Sequence, residues 1–194
     1  MEKFKEHITP DEINLLPLVG FEGEIVVADT TAVAHEAIDY LMQQPIIGFD
    51  TETRPCFKKG AAPNNISLLQ LSDDKYSFLF RLHMLKLENK FFKPLERENI
   101  LKIGAAVRDD IKGLQRLRNF TPRGFVDLQS IVGEHGINDL SLRSISAIVL
   151  GAKISKAQRL SNWESQQLTE KQQIYAATDA WICHQIYLKL LASK

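Results

Sequence analysis

The stretch "IIGFDTET", Ile46 to Thr53, decides how the rest of the chain is read. Uncharged residues run to Phe49, and then two acids follow one residue apart. Ionised carboxylates avoid apolar surroundings unless something pairs with them. Side chains two apart on a strand share a face, so Asp50 and Glu52 converge. Converging carboxylates repel, and one takes up a proton unless a cation lies between them. Hard oxygen donors select Mg2+ or Mn2+ over zinc. A strand end open to water, with Thr51 facing inward, is the alternative these residues leave open.

Two further segments place acids among apolar residues. In "YAATDAW", Tyr175, Asp179, Ile182 and Ile186 follow i, i+4, i+7 and i+11, one helical face. Asp179 therefore sits inside an apolar stripe, with Tyr175 one turn before it. In "KIGAAVRDDIKGLQRL", Val107, Asp110, Leu114 and Leu117 share a face, while Asp109 turns away by about 100° of helix. Each acid alone has an ordinary explanation, a solvated edge for Asp179 and a favourable first-turn position for Asp110. Three segments aiming carboxylates at apolar surroundings, with a tyrosine beside one of them, favour a shared metal site.

The bulk properties are those of an ordinary soluble domain. The chain has 194 residues, 44% hydrophobic and 25% charged, which fits a single soluble domain with a substantial core. Lys+Arg and Asp+Glu both count 24, which argues against a uniformly basic nucleic-acid coat but not against a local basic groove. Cys56 and Cys183 form no CxxC, and the five histidines show no zinc spacing. Neither a signal peptide nor a membrane span is expected, and a reduced, cytoplasmic setting is.

Periodicity predicts strands in "GEIVVAD", "PIIGFDTE", "ISLLQLS", "YSFLFRL", "ILKIGAA" and "GFVDL". The third and fourth are separated by Asp73–Asp74–Lys75 and are expected to pair as a hairpin. Helices are expected over Thr30–Gln43, around Lys90–Arg97, over Val107–Arg118, and from "LTEKQ" nearly to the end, where Thr169 and Gln172 suggest a capping box. Residues 1–24 read as an arm, in which Pro10 and Pro17 prevent one continuous helix, and residues 25–194 as one domain. Interleaved strands and helices with an early hairpin indicate an α/β fold with a mixed sheet.

"FDTET", "IGAAVRDDIKGL" and "YAATDAW" resemble the three exonuclease motifs of the DEDD superfamily. Tyr175-Ala-Ala-Thr-Asp179 resembles its tyrosine-bearing branch, which includes ribonuclease D and the Werner-syndrome exonuclease domain. The likeness runs from about residue 25 to the end and extends through "SNWESQQLTEKQQIYAATDAW". It implies a ribonuclease H-like fold, a five-stranded mixed sheet flanked by helices. It also implies that Asp50, Glu52 and Asp179 hold one divalent cation, that Asp50 and Asp110 hold a second, and that Tyr175 positions the attacking water. The implied activity is 3'-5' exonuclease cleavage of DNA or RNA ends, releasing nucleoside 5'-monophosphates, with no nucleotide cofactor and no membrane partner. Ala105 and Ala106 stand where some relatives carry Asn or His, so substrate contacts there are expected to differ.

The likeness further places Thr51 and Thr53 near the terminal nucleotide, a role equalled by their fitness as ordinary strand residues. Arg159 is the better candidate for a phosphate contact, with Lys153, Lys156, Lys58 and Lys59 behind it. Trp163 is expected to pack the last helix onto the sheet rather than to stack on a base. A metal-bearing module that binds nucleic acid without cutting it, and a phosphodiesterase for small substrates, are the alternative functions.

Overall fold

In the computed structural model, which describes residues 3–57, 60 and 64–193, the β-branched and aromatic stretches form strands, as their pleat-filling side chains favour. These are β1 (Glu24–Ala28), β2 (Ile46–Thr53), β3 (Ile66–Ser72), β4 (Tyr76–Arg81), β5 (Leu101–Gly104) and β6 (Phe125–Asp127). They build one sheet in the order β1-β4-β3-β2-β5-β6. β3 and β4 form the expected antiparallel hairpin, and β2 runs antiparallel to β3. β1 lies parallel to β4, while β5 and β6 extend the other side in parallel with β2.

The sheet has six strands, one more than the resemblance implies. Gly124, at φ +65°, turns the chain so that its carbonyl accepts from Lys102 N at 2.8 Å, and the short β6 then pairs with β5 through Ile103 and Val126. β5 itself ends at Gly104, two residues before the expected limit, because Ala106 enters a left-handed turn.

Helices cover both faces. α2 (Thr31–Leu41), α3 (Asn89–Glu96) and α4 (Val107–Leu117) enclose one core with Phe49, Leu69, Leu71 and Phe80 of the sheet. The other face carries α7 (Glu170–Ala192), with α5 (Leu128–Ile131) and α6 (Leu142–Leu150) against its C-terminal half. Each fully buried Leu, Ile or Phe in these cores contributes about 1.5–3 kcal/mol relative to exposure. The arm contains a short helix, α1 (Pro10–Leu15), with Pro10 in its first turn and a Thr9–Glu12 capping box. Leu16 and Pro17 end it, and Leu18 then bridges to Lys153.

The seat of α7 depends on one residue. A Cβ on Gly48 would lie 1.8 Å from the Ala180 carbonyl oxygen. Only glycine lets the helix approach β2 this closely, and α7 carries Tyr175 and Asp179. Gly48→Ala is therefore expected to lower Tm by roughly 5–10 °C. An unchanged melting curve would show that this contact does not fix the helix.

Candidate metal centre

Asp50 and Glu52 leave β2 on the face that receives α7, the face shared with Gly48. α7 starts at the expected capping box, in which Thr169 accepts from Gln172 N at 3.3 Å and the Gln172 side chain accepts from Thr169 N at 3.0 Å. That start places Tyr175 and Asp179 on its buried face, where Asp179 is 7% exposed. Ligand oxygens of Asp50, Glu52 and Asp179 all lie within 4.8 Å of one another. The sheet register shifts between Glu52 and Thr53, a bulge of the kind that re-aims side chains at the rim of a site.

Asp110 approaches from α4 and is not among the three carboxylates within 4.8 Å of one another. It accepts a short hydrogen bond from Thr51 Oγ1, whose side chain leaves β2 on the face opposite Asp50 and Glu52. Asp110 also bears electrostatically on Asp50 and Glu52. Asp109 points to solvent, as its helical phase requires, beside Lys112 at 3.7 Å.

The electrostatics are those of an anion cluster lacking a protein counter-charge. Burial, then the neighbouring Asp179, Glu52 and Asp110, hold the Asp50 carboxyl well above the usual range. Burial, then Asp179 and Asp110, push Glu52 up to about 8. Burial raises Asp179 to about 7 and Asp110 to about 6, although hydrogen bonds from Tyr175 and Thr51 oppose the rise. Among the described residues, none of the four is in an ion pair with Lys, Arg or His. Four oxygen donors, so crowded and unpaired, suit hard divalent cations.

Burial, followed by Asp179 and Glu52, holds the Tyr175 phenol far above its ordinary value, so it stays protonated and able to donate. Trp163 is wholly buried and packs on this ring with centroids 6.0 Å apart, as expected of a core tryptophan.

The substrate-contact candidates are distributed less uniformly. Thr51 spends its hydroxyl on Asp110, and Thr53 is half-buried just past the bulge. Arg159 stands exposed in the turn whose amide bonds to the Lys156 carbonyl, and Lys156 is exposed too. Lys153 donates to the Asn14 carbonyl and so ties down the arm. Lys58 and Lys59 lie outside the described residues.

Other positioning groups carried no strong signal in the sequence. The buried Arg81 guanidinium donates to the Ser165 carbonyl and, at 2.7 Å, to that of Gln166. Glu164 accepts from Ser67 Oγ at 3.1 Å and pairs with Arg54 at 2.8 Å. Together they clamp the segment bearing Trp163 to the sheet beneath Tyr175. An arginine closing an apolar strand was the available clue to the first of these.

A family model described as 3'-5' exonuclease matches residues 25–193. The chain belongs to this 3'-5' exonuclease family. Among curated members, the bifunctional 3'-5' exonuclease/ATP-dependent helicase WRN of Mus musculus is 30% identical over 185 residues. That match covers 90% of this chain and 13% of the relative, so the chain spans a small part of that protein's length. The exonuclease family fold also appears in solved structures. The Nibbler EXO domain of Aedes aegypti superposes with TM-score 0.80 at 23% identity, covering 90% of this chain and 91% of that one. RNase D of Escherichia coli gives TM-score 0.77 at 22% identity, covering 87% and 44%. These two likenesses bear out the ribonuclease H-like, mixed-sheet fold.

Proposed function

We propose that this chain is a metal-dependent 3'-5' exonuclease that hydrolyses phosphodiester bonds at the 3' ends of DNA or RNA and releases nucleoside 5'-monophosphates. The observation that carries the reading is the cluster of Asp50, Glu52 and Asp179 within 4.8 Å, with Asp110 near enough to raise Asp50 and Glu52, in a chain of the exonuclease family. Asp50, Glu52 and Asp179 would hold one Mg2+ or Mn2+, and Asp50 and Asp110 a second. Bound there, the cations would supply a water of lowered pKa and charge balance for the departing 3' oxygen. Tyr175, kept protonated, orients the attacking water by hydrogen bonding and does not abstract its proton. Thr53 and Arg159 are proposed to face the substrate. Residues 25–194 are proposed as the exonuclease domain, with residues 1–24 as an arm upon it, in a cytoplasmic setting.

Digestion of 5'-labelled single- and double-stranded DNA and RNA tests this reading, with Asp50→Ala and EDTA as controls. A ladder that shortens from the far end with Mg2+ or Mn2+, and with neither control, is the expected result. Binding of the oligonucleotide without cleavage would make the chain a binding module, and cleavage confined to dinucleotides would make it a small-substrate phosphodiesterase.

Tyr175→Phe removes the hydroxyl and keeps the ring packed against Trp163. It is expected to slow turnover on the order of 10²-fold, the scale of a lost general acid–base or orienting group, while Mn2+ affinity stays at the wild-type value. Unchanged turnover in single-turnover kinetics would remove the role given to the phenol.

A further inference from the structure

We infer that Asp127 is a positioning residue for the cation site that Asp110 serves, acting through the turn that starts α4. The inference rests on the two-ion reading above. Asp127 closes β6, and its carboxylate takes up three backbone N–H groups. Oδ1 accepts from Ala106 at 2.9 Å and from Gln129 at 3.0 Å, and Oδ2 accepts from Val107 at 3.2 Å. Two of these donors belong to the start of α4, and the third to the start of α5. One side chain therefore staples the N-termini of two helices to the end of the sheet.

The turn it holds is strained. Ala106 has φ 59° and ψ 38°, and among the described residues it is the sole non-glycine at positive φ. The left-handed conformation drives an L-residue's Cβ toward the following carbonyl, so alanine does not settle there unaided. Ala106 is also the N-cap of α4 and has no side chain able to cap it. Two amides at the start of α4, those of Ala106 and Val107, are taken up instead by Asp127, which lies 21 residues away from Ala106 in sequence. Asp110 lies in the first turn of this helix, and the direction in which α4 leaves β5 sets where its carboxylate falls relative to Thr51 and Asp50. Charge alone argues against an acid here, since Asp127 adds to the negative field at Asp110. Its place is explained by the three amides, which a carboxylate accepts better than any neutral group.

The test measures Mn2+ binding to the metal-free chain by calorimetry and electron paramagnetic resonance. It compares wild type, Asp127→Asn, Asp110→Asn, Ala106→Gly and the double variant D127N/A106G. An asparagine cannot accept on its amide nitrogen and so gives up part of the staple. D127N is expected to melt cooperatively and to keep one Mn2+ at wild-type affinity. The other ion is expected to bind about 10–100-fold more weakly, the loss typical when a group that orients a metal ligand is removed. Its kcat falls while KM for an oligonucleotide holds. Adding Ala106→Gly recovers part of the lost affinity, because glycine adopts the left-handed turn without a Cβ clash; alone, A106G leaves binding unchanged. Should D127N not fold, Asp127→Glu takes its place under the same requirement of selective weakening. Wild-type affinity for both ions in the Asp127 variant overturns the inference. Loss of both ions together, or no recovery on adding Ala106→Gly, overturns it too, by making Asp127 a general structural residue. If Asp110→Asn leaves both ions in place, the two-ion reading fails instead.

Discussion

Asp50→Asn is expected to reduce kcat on the order of 10³-fold, as does loss of a single preorganised group that stabilises transition-state charge. The same variant is expected to melt at a higher temperature than wild type when metal-free. Both effects come from one cause. Asp50 is the carboxylate whose neighbours include all three other acids, so it suffers most from their repulsion and from burial. Removing its charge relieves that strain in the empty site and takes away the ligand shared by both proposed ions. Groups arranged for function at the expense of stability behave in this way. Parallel measurements of single-turnover rate and metal-free Tm check the pair of outcomes. A fall in Tm or a loss of cooperative melting would mark Asp50 as a structural residue.

The second large effect is the response of stability to pH and divalent ions. The folded-state pKa values are about 6 for Asp110, about 7 for Asp179 and about 8 for Glu52. All exceed the value near 4 of a carboxylate in an unfolded chain. In that window the folded state therefore holds more protons than the unfolded state, and stability falls as pH rises. The favourable term is intact below about pH 4, and it is lost by the time the pH has passed about 8. Metal-free protein is thus expected to lose Tm steadily between these limits. Divalent ions bind the ionised form and compete with those protons, so their stabilising effect grows with pH. With Mn2+ at 100 times its Kd, the gain of about 2.7 kcal/mol corresponds to roughly 5–11 °C at this chain length. A calorimetric series at pH 6, 7 and 8, with EDTA or Mn2+, checks both slopes. A Mn2+ shift that is the same at pH 6 and pH 8 would mean that the ion does not meet these carboxylates.

Much of the site could be read from the chain because it obeys simple periods. Asp50 and Glu52 share a face by the two-residue repeat of a strand, and Tyr175 and Asp179 by the helical repeat, and the structure places all four together. The Thr169–Gln172 capping box marks the start of α7, and the Asp73–Asp74–Lys75 turn marks the hairpin. What escaped depends on contacts between distant residues. Ala106 gives no hint of a left-handed turn, since the residue that makes it tenable, Asp127, lies on another strand. Thr51, equally a substrate-contact candidate and an ordinary strand residue by sequence, donates its hydroxyl to Asp110 across the strand–helix junction. Lys153, a phosphate-path candidate by its place before α7, donates to the Asn14 carbonyl of the arm, a contact no local pattern signals. The sixth strand is legible as "GFVDL", and what pattern leaves out is its pairing, three residues laid parallel on the edge that β5 offers.

The central claim is that Asp50, Glu52, Asp110 and Asp179 together bind two divalent cations. Anomalous diffraction at the manganese edge from crystals of this chain soaked in Mn2+ tests it most directly. The account predicts two peaks about 3.5–4 Å apart, one against Asp50, Glu52 and Asp179 and the other against Asp50 and Asp110. A single peak away from Asp110, or manganese bound elsewhere with the four carboxylates bare, would contradict it.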